Sequence, residues 1–296
     1  MKHTKSLIAV SLLLNFNLAI AQADVWTPFT VVEVTTDESL SPFDPSIVIL
    51  PYERQVDSQF AQVGSNPGLF AKGRALFGET GSYAIATGQP SNVGAFAETS
   101  WSDAFTILGG TGNGILSVSV RVDGVLTGGG SVSSYRLFVS DTPITLGAEG
   151  LGGILGYDDN DNHLTNRGPD DSDIVIQAYG VSPDILAHLS QEELEILNQS
   201  PIIHSGSNLF TAEIPFTYGV TFYIASKLNA EVMGDGAADF FNSSHFGATT
   251  PDGLAVAGAS GTVYQQAAVV PVPSAIWLFG SGVLGLMGFK RRNFVR

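Results

Sequence analysis

Residues 115–125 read ILSVSVRVDGV. Leu116, Val118, Val120 and Val122 fall on one side of this stretch, and Ser117, Ser119, Arg121 and Asp123 on the other. Side chains alternate across a strand, so a period of two predicts a β-strand with one buried face. VSSYRLFVS repeats the pattern with Tyr135, Leu137 and Val139, and TYGVTFYIASKL repeats it with Tyr218, Val220, Phe222 and Ile224. Shorter strands are expected at 29–36, 102–108, 173–180, 208–214 and 253–259. Between them lie glycine-rich connectors such as GGTGNG (109–114) and TGGGS (127–131). Many short strands joined by Gly, Asn and Asp turns predict an all-β body, an antiparallel β-sandwich of jelly-roll-like form.

One stretch departs from that period. SPDILAHLSQEELEILNQSP (182–201) predicts two short helical turns as an insertion. Ser182 can cap with Pro183 at the first helical position. Ser190 and Glu193 have capping-box spacing.

Charge is distributed unevenly. Residues 1–23 and 271–296 hold no acid, so all 28 Asp and Glu lie between them, against seven of the 13 Lys and Arg. So acidic a balance argues against nucleic acid or an anionic membrane surface as a partner of the body, because both require a basic patch. There is no cysteine, which excludes a disulfide framework and Cys-based zinc sites. A chain of this size can bury a sufficient core unaided.

The N-terminus has the three parts of a secretory signal. Lys2 and Lys5 form the basic start and residues 7–20 the apolar run. Ala21 and Ala23 occupy the small-residue positions before Asp24, the expected first residue of the mature chain. The expected organisation is a signal peptide over 1–23, an exported β-rich domain over 24–266, and a sorting tail over 267–296.

The tail explains itself physically. Residues 274–289 carry no charge. As a helix they span roughly 24 Å, a marginal length for a membrane anchor. Pro271 and Pro273 bound that helix because neither has an N–H to donate. Trp277 suits the interface. Gly280, Gly282, Gly285 and Gly288 form a small-residue face that lets another helix approach. Lys290, Arg291 and Arg292 hold the end in the cytoplasm by the positive-inside rule. A proline pair, an apolar glycine-rich helix and a basic cluster, in this order over residues 269–292, closely resemble the PEP-CTERM sorting signal of Gram-negative bacteria. With Pro271-Val272-Pro273 in place of Pro-Glu-Pro, the motif looks like the VPxP-type variant. The resemblance implies export by the secretion machinery and a transient inner-membrane anchor. It further implies processing near Pro271, Val272 and Pro273 by an exosortase, a membrane-embedded protease, and release to the cell surface or beyond. It also implies an exopolysaccharide or biofilm setting. AFAETSWSDAFTIL (95–108) and GAADFFNSSHFG (236–247) are loosely similar to β-rich bodies of proteins bearing that signal.

Chemistry is less legible. YDDNDNHLTNRGPDDSD (157–173) holds Asp158, Asp159, Asp161, Asp170, Asp171 and Asp173. Calcium takes six to eight oxygen ligands, so this loop is a candidate Ca²⁺ site, with a solvated acidic loop as the alternative. The EF-hand pattern fails: His163 stands where Gly is needed and Pro169 where Glu is needed. Neither G-x-S-x-G nor H-E-x-x-H occurs, and GASGT (258–262) lacks the spacing of a nucleophile elbow. His163, His188, His204 and His245 are expected to be structural or surface residues. GGTGNG lacks both the spacing and the Lys of a phosphate loop. Trp26 and Trp101 are the body's tryptophans; core packing is the default for Trp101, and a sugar platform the alternative. No catalytic residue is assigned. The expectation is a non-enzymatic surface or matrix protein, structural or adhesive; the alternatives are a carbohydrate-binding module and a secreted polysaccharide hydrolase.

Overall fold

A computed structural model describes residues 28–35, 53–57, 59–66, 68–89, 93–144, 173–187 and 191–265. The chain runs β1 (Phe29–Thr35), β2 (Glu53–Asp57), β3 (Phe60–Asn66), β4 (Leu69–Leu76), β5 (Glu79–Ala86), β6 (Gly94–Thr106), β7 (Asn113–Gly128) and β8 (Ser131–Ser140). Then come β9 (Asp173–Val181), α1 (Pro183–Leu186), α2 (Gln191–Gln199), β10 (Gly206–Thr217), β11 (Thr221–Met233), β12 (Gly236–Thr249), β13 (Val256–Ala257) and β14 (Val263–Tyr264). The first sheet has the order β2-β1-β6-β11-β8-β9, the second β10-β7-β12-β5-β4-β3, and β13-β14 form a small hairpin. All pairings between these strands are antiparallel.

The core lies between the two sheets. Strand β7 behaves as its alternation requires: Leu116, Val118, Val120 and Val122 are buried. They meet Trp101, Phe105, Ile224 and Leu228 of the first sheet in one continuous cluster with Tyr135, Leu137 and Phe246. Aromatic rings fill the centre: Trp101 stacks on Tyr264 at 5.6 Å and meets Phe246 edge-on at 5.2 Å. Hydrogen bonds also join the sheets. The Ser82 hydroxyl, from β5, donates to the Leu228 carbonyl at 2.9 Å and lies 2.9 Å from the Thr99 hydroxyl.

The strand at 102–108 is part of a longer one, β6, which is buried along both faces. Beyond the predicted strands, β2 to β5 and β12 complete the sheets. Three details differ from the sequence reading. Tyr218 and Val220 are not strand residues: the Val220 N–H donates to the Thr217 carbonyl and closes a turn, leaving Val220 53% exposed. The expected strand at 253–259 shrinks to Val256–Ala257. Both helices form, but the Ser182 carbonyl rather than its hydroxyl serves α1: it accepts from the Leu186 N–H, while the buried hydroxyl has no hydrogen-bond partner; the expected Ser190 cap lies outside the described residues.

Candidate functional site

Several expected site residues lie outside the described residues: Ala21, Ala23, Asp24, Trp26, Asp158, Asp159, Asp161, His163, Asp170, Asp171 and His188. So does the tail from Gln266 on, with Pro271, Val272, Pro273, Trp277, Gly282, Gly285, Lys290, Arg291 and Arg292. Asp173 opens β9 and is exposed. Among the described residues there is no group of three or more His, Asp or Glu side chains placed to hold a metal. None of their helices is long and apolar enough to cross a membrane.

Trp101 is fully buried in the core, so it presents no face to a ligand. The two described histidines stand apart. The His204 N–H donates to the Asn208 side chain at 2.9 Å. His245 Nδ1 lies 3.6 Å from Glu79 Oε1, and the same Glu79 carboxylate is 3.8 Å from the Arg74 guanidinium.

Three polar constellations emerge that sequence order does not suggest. The first is Asp103, on β6 and without solvent access. Its carboxylate accepts from the Ala104 and Ser260 N–H groups at 2.8 and 3.0 Å, from the Ser260 hydroxyl at 2.5 Å and from the Tyr264 hydroxyl at 2.7 Å. Four donors replace the water that a buried carboxylate loses. Gly258 makes room: a Cβ there would sit 1.9 Å from Asp103 Oδ2. Burial first, and then the Asp103 charge, push the Tyr264 hydroxyl far above its ordinary range. The arrangement fastens the β13-β14 hairpin to the end of the sandwich.

The second is a row of charges on the face of the first sheet turned away from the core. Glu33, Glu98, Arg136, Lys227, Asn229 and Glu231 are all at least nine-tenths buried. Lys227 Nζ lies 3.2 Å from Glu98 Oε2. Register explains the pair: Lys227 stands opposite Ser100 and Glu98 opposite Asn229, so the two are diagonal neighbours on one face.

The third is an aromatic and cationic patch on the outer face of the second sheet. Strand alternation sends Ala61, Ala71, Ala75, Ser82 and Ala84 inward and leaves Phe60, Lys72, Arg74 and Tyr83 outward. Gln62, Lys72, Tyr83 and Asp239 stand in one cross-strand row. Beside them β12 bulges. Phe240 pairs with Ser82 and Ser244 with Thr80, so residues 241–243 oppose Gly81 alone. Only glycine fits at 81, because a Cβ would sit 1.8 Å from the Phe241 carbonyl oxygen. The bulge carries Phe241 over the sheet. There the Lys72 ammonium lies 4.0 Å from the Phe241 ring centre and 5.1 Å from that of Tyr83, with Arg74 at 5.9 Å from Phe241. Phe60 meets Phe241 edge-on at 6.5 Å. Burial, then the nearby Asp239 charge, raise the Tyr83 hydroxyl above its ordinary value. The sequence signal for this patch was faint: two adjacent phenylalanines, 240 and 241, in a stretch where only one can face the core.

No protein-family model matches the chain, and no curated protein matches it.

Proposed function

We propose that this chain is an exported surface or extracellular-matrix protein of a Gram-negative bacterium, structural or adhesive in an exopolysaccharide setting. The observation that carries the reading is the terminal pattern. A signal-like start ending Ala21-Gln22-Ala23 precedes the acidic body, and Pro271-Val272-Pro273, an uncharged run and Lys290-Arg291-Arg292 follow it. In this reading the secretion machinery exports the chain, the tail holds it briefly in the inner membrane, and an exosortase-type protease processes it near the prolines. A jelly-roll-like path through the sandwich is part of the same proposal. Its support is the way β6, β7 and β8, and again β10, β11 and β12, alternate between the two sheets.

Mass spectrometry of protein recovered from the cell surface tests the sorting step. A chain that starts near Asp24 and ends before or near Pro271 is the expected product; an intact 271–296 tail overturns processing. Incubation with the producing organism's own polysaccharide separates the functional classes. Retention without cleavage supports a matrix role, whereas release of oligosaccharides establishes the hydrolase alternative. The carbohydrate-binding alternative draws on one observation, the outward aromatic and cationic patch around Lys72.

A further inference from the structure

We infer that the patch formed by Phe60, Lys72, Arg74, Tyr83 and Phe241 is a binding platform for a carboxylate-bearing sugar chain. The inference deepens the matrix reading and rests on it for the source of the glycan.

Lys72 carries the argument. Its ammonium touches two aromatic rings, and among the described residues no carboxylate lies within ion-pair distance of it. Three other described cations each have a carboxylate close by: Arg74 approaches Glu79, Arg121 pairs with Asp123, and Lys227 pairs with Glu98. Ring faces attract a cation but leave its outer side able to accept an anion. A carboxylate arriving from outside completes Lys72, and the Arg74 fork stands one position along the same strand face.

The apolar part fits the rest of a sugar. Phe60 is 45% exposed at the edge strand, and its ring can take the C–H face of a pyranose. Gln62, Tyr83 and Asp239 lie across the row and offer hydroxyl partners. The row crosses three strand spacings, about 14 Å, which suits a chain of several sugars. The bulge supports a built site, since the Phe241 backbone crosses directly over Gly81, a position that only glycine can fill. The body's overall negative charge opposes a polyanion at long range, but that repulsion is screened beyond about 8 Å at physiological salt. The contact at Lys72 is much closer than that.

Fluorescence anisotropy with a labelled oligogalacturonate and the full chain in detergent tests the inference, with a neutral dextran oligomer as the comparison. Saturable binding of the acidic probe is expected. It should weaken at least tenfold in Lys72→Gln and in Phe60→Ala, and recover in Lys72→Arg, with melting temperatures unchanged. No saturable binding, binding that Lys72→Gln leaves intact, or equal affinity for dextran overturns it. If Lys72→Gln alters folding, the exposed Phe60→Ala variant decides: unchanged binding there overturns the platform. Export and tail processing are measured separately, so failure here leaves the sorting reading standing.

Discussion

Asp103 and Tyr264 are 161 residues apart in the chain, yet the tyrosine hydroxyl donates to the carboxylate at 2.7 Å. This contact ties the last described strand to the middle of the first sheet. Asp103→Asn keeps the volume but turns one acceptor into a donor facing other donors, so it should cost about 1.5–3 kcal/mol. Tyr264→Phe removes the same bond from the other end. A double-mutant cycle followed by urea denaturation should show coupling of about 0.5–3 kcal/mol; strict additivity sinks the clamp.

Chain truncation gives a second test. Tyr264 is 2% exposed and packs on Trp101 and Phe105. A chain stopped after Gln266 keeps this anchor, and its melting temperature should match the full chain. One stopped after Ala255 loses it, at a cost of about 3–5 kcal/mol. For a domain of this size that lowers the melting temperature by roughly 6–20 °C.

Trp101 should behave as a packing residue. Trp101→Ala is expected to cost about 3–5 kcal/mol and therefore cannot report on a ligand. Trp101→Phe keeps most of the ring contact and should lose much less. A Trp101→Ala chain of unchanged stability in chemical denaturation contradicts the buried placement.

The Lys227–Glu98 pair should be costlier to break than to replace. Lys227→Met leaves a buried carboxylate and is expected to destabilise by about 3–5 kcal/mol. Adding Glu98→Gln removes that charge and should restore a good part of the loss. Urea midpoints of the wild-type, single and double variants check this. A double variant less stable than Lys227→Met excludes the argument.

Two buried tyrosines set the alkaline limit. Burial raises Tyr135 well above its ordinary value despite the hydrogen bond with Ser226, and burial with Asp103 raises Tyr264 further. An unfolded tyrosine ionises near pH 10. Below that pH both states keep the proton and the stability is fully present. Above it the unfolded chain releases protons that the folded chain retains, so stability falls by about 1.4 kcal/mol per pH unit for each residue. Urea midpoints at pH 9–11.5 should show the decline, and Tyr135→Phe should make it shallower. A flat profile refutes it.

The sequence by itself determined the strand character and the helical insertion. Alternation in 115–125 placed Leu116 to Val122 correctly because β7 buries one face and leaves most of the other partly open. Pro183 marked the start of α1 because a proline fits the first helical position, where no N–H is needed. The terminal patterns, which carry the sorting proposal, are also local. Strand β6 was harder to read: both its faces are buried, and charged residues such as Glu98 and Asp103 are acceptable there only because partners from distant strands meet them. The same holds for the patch around Lys72. Residues 60, 72, 74, 83 and 241 share a face only after four strands pair in register and β12 bulges over Gly81. Pairing between strands is non-local, so tertiary structure alone decided which charges were buried together, which carboxylate held the β13-β14 hairpin, and which cations were left facing outward.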